Sequence, residues 1–415
     1  MAVQPRLEPG YTKYELEALK GDRTVNRVTL TGGQQTARPG TILNVIIPKI
    51  PNDHVIVPGT LAVRFNLNMG TSDAGNYLVD NVSRALVKEM KIAIDGVEIQ
   101  TTSDYDDYKT YKDLWLSKEK RDNMLSEGIQ SVDQSKVRCG TSGAKTSGVE
   151  VMLNKHYSNR YKIWLDDEFV TDNGSLFTPG LGKLTFNITL ADGKEVVKGS
   201  TGPYDYILEN LELEYTTIKN STLAARAREW YKVGKTFAFE QVSRVEQGNF
   251  KDNEQSIFNM SVNPSKSSLK AVLVLFRKAT DPTKNQTEEF FNPNFTEVKV
   301  TVKGMPNRVY SNGIQSEDFW VEAKNFFHKG MDDCYTDMSI SKFYTDKFCI
   351  LIDLRSQIDD LLHGSGIKTL KDAQGVQFAM KRVKGSSSDE IEYLIYEISD
   401  AQVNIADHKI KNHYV

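Results

Sequence analysis

Residues 87–99 read VKEMKIAIDGVEI, and residues 295–309 read FTEVKVTVKGMPNRV. Each is an alternating strand, a glycine-bearing turn and a return strand. Asp95-Gly96 is a strong two-residue turn signal, because both positions tolerate positive φ. Glu89, Lys91 and Gly96 recur as Glu297, Lys299 and Gly304, each 208 positions later in a chain of 415 residues. Both hairpins then run into a short aromatic stretch, Asp113-Leu114-Trp115 in the first half and Asp318-Phe319-Trp320 in the second. A large unit repeated at half the chain length predicts two similar domains side by side. The length agrees, since two domains of about 200 residues fit the usual range and one core does not.

The segments around these hairpins carry the same strand period. Leu61, Val63, Phe65, Leu67 and Met69 alternate with polar or small residues, as in a half-buried strand. Further strands are expected at 41–47, 183–190 and 208–218. In the second half they are expected at 235–241, 269–277, 295–302, 348–354, 391–398 and 401–405. Pro48 and Pro51 end the first of these, because proline cannot donate to the ladder. Helices are predicted over 105–127, closed by Gly128, and over 316–330, capped by Ser316 and closed by Gly330. Tyr108, Tyr111 and Trp115 share one helical face, and Phe319, Ala323 and Phe326 another. Their recurrence in both repeats marks them as packing residues. Residues 129–150, 281–294 and 384–389 read as loops.

Residues 1–40 are polar and turn-rich and read as an extended arm. Residues 219–235, KNSTLAARAREWYKVGK, hold five basic residues and one acid. They read as a solvated linker that could form a short helix, with Leu223, Ala227 and Trp230 on one side. Many short strands, few helices and regular turn signals predict an all-β protein of two tandem jelly-roll sandwiches, with short helices in the inter-strand loops. The expected organisation is an arm at 1–40, a first jelly roll at 41–218, a linker at 219–235 and a second jelly roll at 236–415.

Composition narrows the function. The net charge is −3, which does not suit a dedicated nucleic-acid binder. The chain has 39% hydrophobic residues, 18 Tyr and 18 Phe, which suits a folded β-rich protein. The amino terminus has no apolar run of signal-peptide length, and no window approaches the roughly 18 apolar residues of a membrane span. Cytosolic synthesis without secretion is therefore expected, leaving the sequons at Asn187 and Asn294 unused. Cys139, Cys334 and Cys349 are odd in number and far apart, so reduced thiols are expected rather than a disulfide framework.

Catalytic and metal signatures are missing from the sequence. The six histidines, His54, His156, His328, His363, His408 and His413, do not fall at ligand spacing, and there is no H-E-x-x-H or C-x-x-C. Asp104, Asp106 and Asp107 lack the spacing and glycine of a calcium loop, and read as acids at a helix N-terminus. Cys139 lies near Arg138 but has no assignable histidine partner. There is no G-x-S-x-G, P-loop or G-x-G-x-x-G. No catalytic, cofactor-binding or metal residue is assigned, and no small-molecule substrate is expected.

With the repeat, the arm and the missing chemistry taken together, the chain resembles the double jelly-roll major capsid proteins. The resemblance extends to those of Polinton/Maverick elements, adintoviruses and related small double-stranded DNA viruses. It is carried by 82–99 (VSRALVKEMKIAIDGVEI) with the following Tyr/Trp stretch, by 236–249 and by 294–309, and it spans nearly the whole chain. It implies a non-enzymatic virion protein that forms pseudo-hexameric homotrimers tiling an icosahedral shell. Implied partners are other copies of itself, penton or minor capsid proteins, and weak contact of the arm or basic linker with genome or inner membrane. The alternatives are another virion structural component, or a double jelly-roll protein that binds carbohydrate or cleaves glycan. The latter are usually secreted, and the four tryptophans, Trp115, Trp164, Trp230 and Trp320, read as structural.

Overall fold

A computed structural model describes residues 22–57, 59–69, 77–122, 124, 128, 160–172, 182–198, 204–254, 256–262, 266–278, 288–302, 305–306, 310, 312–327, 336, 338–355, 366–369 and 375–414. Eight main strands build the first sandwich, with the short strands Thr36–Ala37 and His54–Ile56 added beside the last of them: β1 (Arg23–Thr29), β2 (Ile42–Ile46), β3 (Ala62–Met69), β4 (Val87–Ile94), β5 (Val97–Ser103), β6 (Arg160–Trp164), β7 (Leu184–Leu190) and β8 (Tyr206–Lys219). One sheet runs β1-β8-β3-β6 and the other β2-β7-β4-β5. Eight more build the second: β9 (Lys235–Lys251), β10 (Ile257–Val262), β11 (Leu269–Lys278), β12 (Phe295–Val302), β13 (Met305–Pro306), β14 (Cys349–Asp353), β15 (Val376–Arg382) and β16 (Glu390–Ala406). Their sheets run β9-β16-β11-β14 and β10-β15-β12-β13. Adding eight to every strand number converts the first pair of sheets into the second. This is jelly-roll wiring, written twice. A last strand, β17 (Lys409–Tyr414), folds back on β16.

Alternation places the core. β7 buries every second residue, Leu184, Phe186, Ile188 and Leu190, against the matching positions of β3 and β4. β15 does the same with Val376, Phe378 and Met380. The β4–β5 hairpin turns at Asp95-Gly96 with φ of 50° and 81°, the conformation the sequence required there. Five helices matter here: α1 (Val82–Ala85), α2 (Tyr105–Asp113), α3 (Glu168–Asp172), α4 (Ser221–Val233) and α5 (Phe319–Phe327).

Several sequence expectations are corrected. The arm does not reach residue 40: β1 pairs with β8 from Arg23↔Ile218 to Thr29↔Glu212. Its side chains are exposed except for half-buried Asn26 and Val28, and Val28 alone touches the first core, so it carries no apolar alternation to read. The helix expected over 105–127 stops at Asp113, and Lys118–Asp122 forms a separate turn. Leu114 and Trp115 are drawn into the second core, and Arg84 holds Asp113. Gly128 instead supports α1. It accepts the Asn81 N–H at φ of 88°, and a Cβ there would meet Val82 at 2.5 Å. α5 begins after Ser316, whose hydroxyl donates to Glu317 rather than capping the helix. α4 is capped by Asn220, which accepts the Leu223 N–H, and buries Ala224, Ala227 and Tyr231. Trp230 lies at its edge under Lys235 Nζ, 3.9 Å from the ring centre. The strands expected at 391–398 and 401–405 are one continuous strand, β16. Residues 129–150 lie outside the described residues.

The two cores exchange residues. Tyr231, Phe237, Phe239, Ala401, Val403 and Ile405 from the second half join the first core. Tyr108, Tyr111, Leu114 and Trp115 from the first half join the second.

Candidate functional site

The most elaborate chemistry among the described residues lies where the sandwiches meet, around α2. Eight of its nine residues are buried. On one side Lys109 and Lys112 both donate to Glu168 Oε1, at 2.8 and 2.9 Å. Tyr105 donates to Asp166 at 3.2 Å. Arg84 of α1 grips Asp166 with two nitrogens, at 2.8 and 2.6 Å, and donates to Asp113 at 2.8 Å. Opposite, Tyr108 meets Tyr396 at 5.8 Å, Tyr111 meets Phe290 edge-on at 4.9 Å, and Trp115 stacks on Phe327 at 5.9 Å. The Tyr111 hydroxyl donates to the Lys347 carbonyl at 3.1 Å. Arg121 and Glu288 add a two-pronged buried pair at 2.6 and 2.7 Å.

The acids of the SDYDDY segment sit at the helix start. One oxygen from each of Asp104, Asp106 and Asp107 lies within 4.8 Å of the others, the only such acid, histidine or cysteine group among the described residues. They do not cap the helix: Asp104 is left-handed at φ of 47° and makes no side-chain cap bond. Asp104 pairs with Lys88 at 2.9 Å and with Arg244 at 2.6 Å, and Asp107 pairs with Arg277. Two of these cations come from the second sandwich, so the cluster ties the halves together. Three cationic side chains balance three carboxylates, a donor set that does not suit a divalent ion. The neighbouring Asp106 Oδ1 has no donor, and burial together with Asp107 pushes that carboxyl well up.

Other candidates scatter. His54 bonds Asp53 at 2.8 Å, His408 lies in the turn before β17, and His413 lies on β17. Cys349 is buried on β14, with its thiol pushed up to about 12 by burial. Cys139, Cys334, His156, His328 and His363 lie outside the described residues. A surface depression of about 420 Å³, lined by Thr36, Ala37, Arg38, Thr41, Ile207 and Glu209, offers no aromatic ring for a sugar to stack on. Sequence reasoning missed Arg84, Asp166, Arg244 and Arg277, whose spacing carries no signal. The run Asp166-Asp167-Glu168 was visible but unread.

Burial sets a pH dependence. Asp167 is enclosed, and burial and then Glu168 repulsion push it up to about 8, against the attraction of Lys109. Burial pushes Glu397 up to about 7, with Lys266 opposing. Both groups titrate near 4 when unfolded. The folded state therefore holds more protons between about pH 4 and 8, and stability falls as pH rises through that window. Asp166 is held well down by Arg84 against its burial, so its contribution is lost only in acid. The melting temperature is expected to peak near pH 5 and decline toward pH 8. Asp167→Asn is expected to flatten the decline and leave pH 5 nearly unchanged; a parallel decline in the variant would refute this.

No family profile matches the chain, and no curated protein matches it in sequence. The fold itself is that of the double jelly-roll capsid proteins. The PBCV-1 virus capsid superposes with a TM-score of 0.62 at 11% identity, covering 94% of this chain and 97% of that one. The Sputnik virophage gives 0.59 at 12%, covering 100% and 93%. The mavirus major capsid protein gives 0.52 at 9%, covering 94% and 90%. At these identities the likeness speaks for the fold.

Proposed function

We propose that this chain is a viral major capsid protein without enzymatic activity. Its copies associate as homotrimers, each presenting six similar sandwiches, and these pseudo-hexameric units tile an icosahedral shell around a double-stranded DNA genome. The observation that carries this reading is the shared order of the eight main strands in both halves. Two equivalent sandwiches in one chain give three chains a nearly hexagonal outline. The working place is the virion shell. Penton or minor capsid proteins are partners, and the arm preceding β1 and the basic helix α4 make weaker contacts with genome or inner membrane. No arrangement among the described residues favours a glycan-cleaving reading.

The test is solution mass by light scattering, with the same peak viewed by negative-stain microscopy. The expected mass is about 140 kDa, three times 46.8 kDa, with hexagonal plates or closed shells. A stable monomer that never assembles would overturn the proposal.

A further inference from the structure

The joint inside the chain has a direction. β5, at one edge of the first sandwich, lies against β9, at one edge of the second, and Thr102 Oγ donates there to the Val242 carbonyl at 3.1 Å. α2 and α3 extend the cover, with Phe169 of α3 edge-on to Phe239 of β9 at 5.0 Å. Beneath it β9 buries Phe237, Phe239 and Val242.

Strand register locates the counterpart of this edge. β3 and β11 are equivalent and share the pair Ala-Val, as Ala62-Val63 and Ala271-Val272. Ala62 pairs with Glu214, which pairs with Arg27. Ala271 pairs with Ile398, which pairs with Val242. Arg27 on β1 therefore holds in the first sandwich the place that Val242 holds in the second. Yet none of the seven residues of β1 is buried, and Val25 is 51% exposed. No described strand pairs with its outer side.

The covering element has a counterpart too. α5 follows the β12–β13 hairpin as α2 follows β4–β5. Whereas α2 buries eight of nine residues, α5 buries only Phe319, Ala323 and Phe326, and leaves Val321 42% exposed. Acids mark the start of each helix: Asp104, Asp106 and Asp107 for α2, exposed Glu317 and Asp318 for α5. The first set meets Arg244 and Arg277. β1 offers exposed Arg23, and Arg27, which is half-exposed while pairing with Glu214 at 2.8 Å. One matched pair of surfaces is used within the chain, and its equivalent pair, on different sandwiches, is left open among the described residues.

We infer that β1, with Val25 outward, docks on β13 and α5 of a second copy of this chain and repeats the internal joint between chains. The contact is head-to-tail, so it closes into a ring when its rotation permits. Covering β1 also removes an exposed strand edge. The inference rests on the self-association proposed above and names the surface that performs it.

The experiment uses the full-length protein and three variants. Val25→Asp and Val321→Asp alter the two faces. Ile257→Asp alters an equally apolar position, 59% exposed on the edge strand β10, outside the proposed contact. Circular dichroism melting checks that each folds, and light scattering over a concentration series reads association. The expected result is a trimer for the wild type and for Ile257→Asp, with association weakened at least tenfold in the other two. Val25→Asp and Val321→Asp at wild-type mass would overturn this inference and leave the capsid reading standing. Dissociation of Ile257→Asp as well would overturn it by removing its specificity. A monomeric wild type would overturn both.

Discussion

Trp115→Ala is expected to cost about 3–5 kcal/mol, the range for removing a large aromatic from a packed core. Trp115 is 3% exposed, stacks on Phe327 and lies 6.2 Å from Phe343. It belongs to the first half by sequence and to the second by packing. Its loss therefore weakens the coupling between sandwiches as well as a core. Calorimetry is expected to resolve the single transition into two, with the second sandwich melting first. One sharp transition displaced by less than about 1 kcal/mol would contradict the assigned role.

Arg84→Met is expected to be about as damaging, roughly 3–5 kcal/mol, because it strands charge rather than opening space. Arg84 is 5% exposed, and its guanidinium serves both Asp113 and Asp166. Methionine fills much of the volume, but leaves the buried Asp113 and the half-buried Asp166 without their arginine. The diagnostic is recovery: adding Asp113→Asn and Asp166→Asn removes the stranded charges and is expected to restore a large part of the loss. Chemical denaturation of the single and triple variants measures it. A triple variant no more stable than Arg84→Met would show that packing around the arginine, and not its charge, is what matters.

The duplication and the all-β architecture were legible because alternation and turn chemistry are local. Asp95-Gly96 demanded positive φ, and Leu61 to Met69 alternated. Two strands with the same signal were overlooked. β10 alternates Phe258, Met260 and Val262, and β15 alternates Val376, Phe378 and Met380. β1 is a different case. With no residue fully buried, it gives no periodicity to detect, and pairing with β8, through backbone and through the Asn26–Thr217 and Arg27–Glu214 contacts, defines it. The joint was illegible for another reason. Tyr108, Tyr111 and Trp115 were correctly read as packing residues, but nothing in their spacing says against which half. Arg84 and Asp166, 82 positions apart, meet only after folding.

β16 and its neighbours bear on the order of events during synthesis. Ala401, Val403 and Ile405 of β16 complete the core of the sandwich that the ribosome makes earlier. A nascent chain can form the early sheets, yet that core stays open until β16 has been made. Domains usually fold one after another as they emerge. Here the first half waits for β16, so a chain cut before that strand lacks a finished first core.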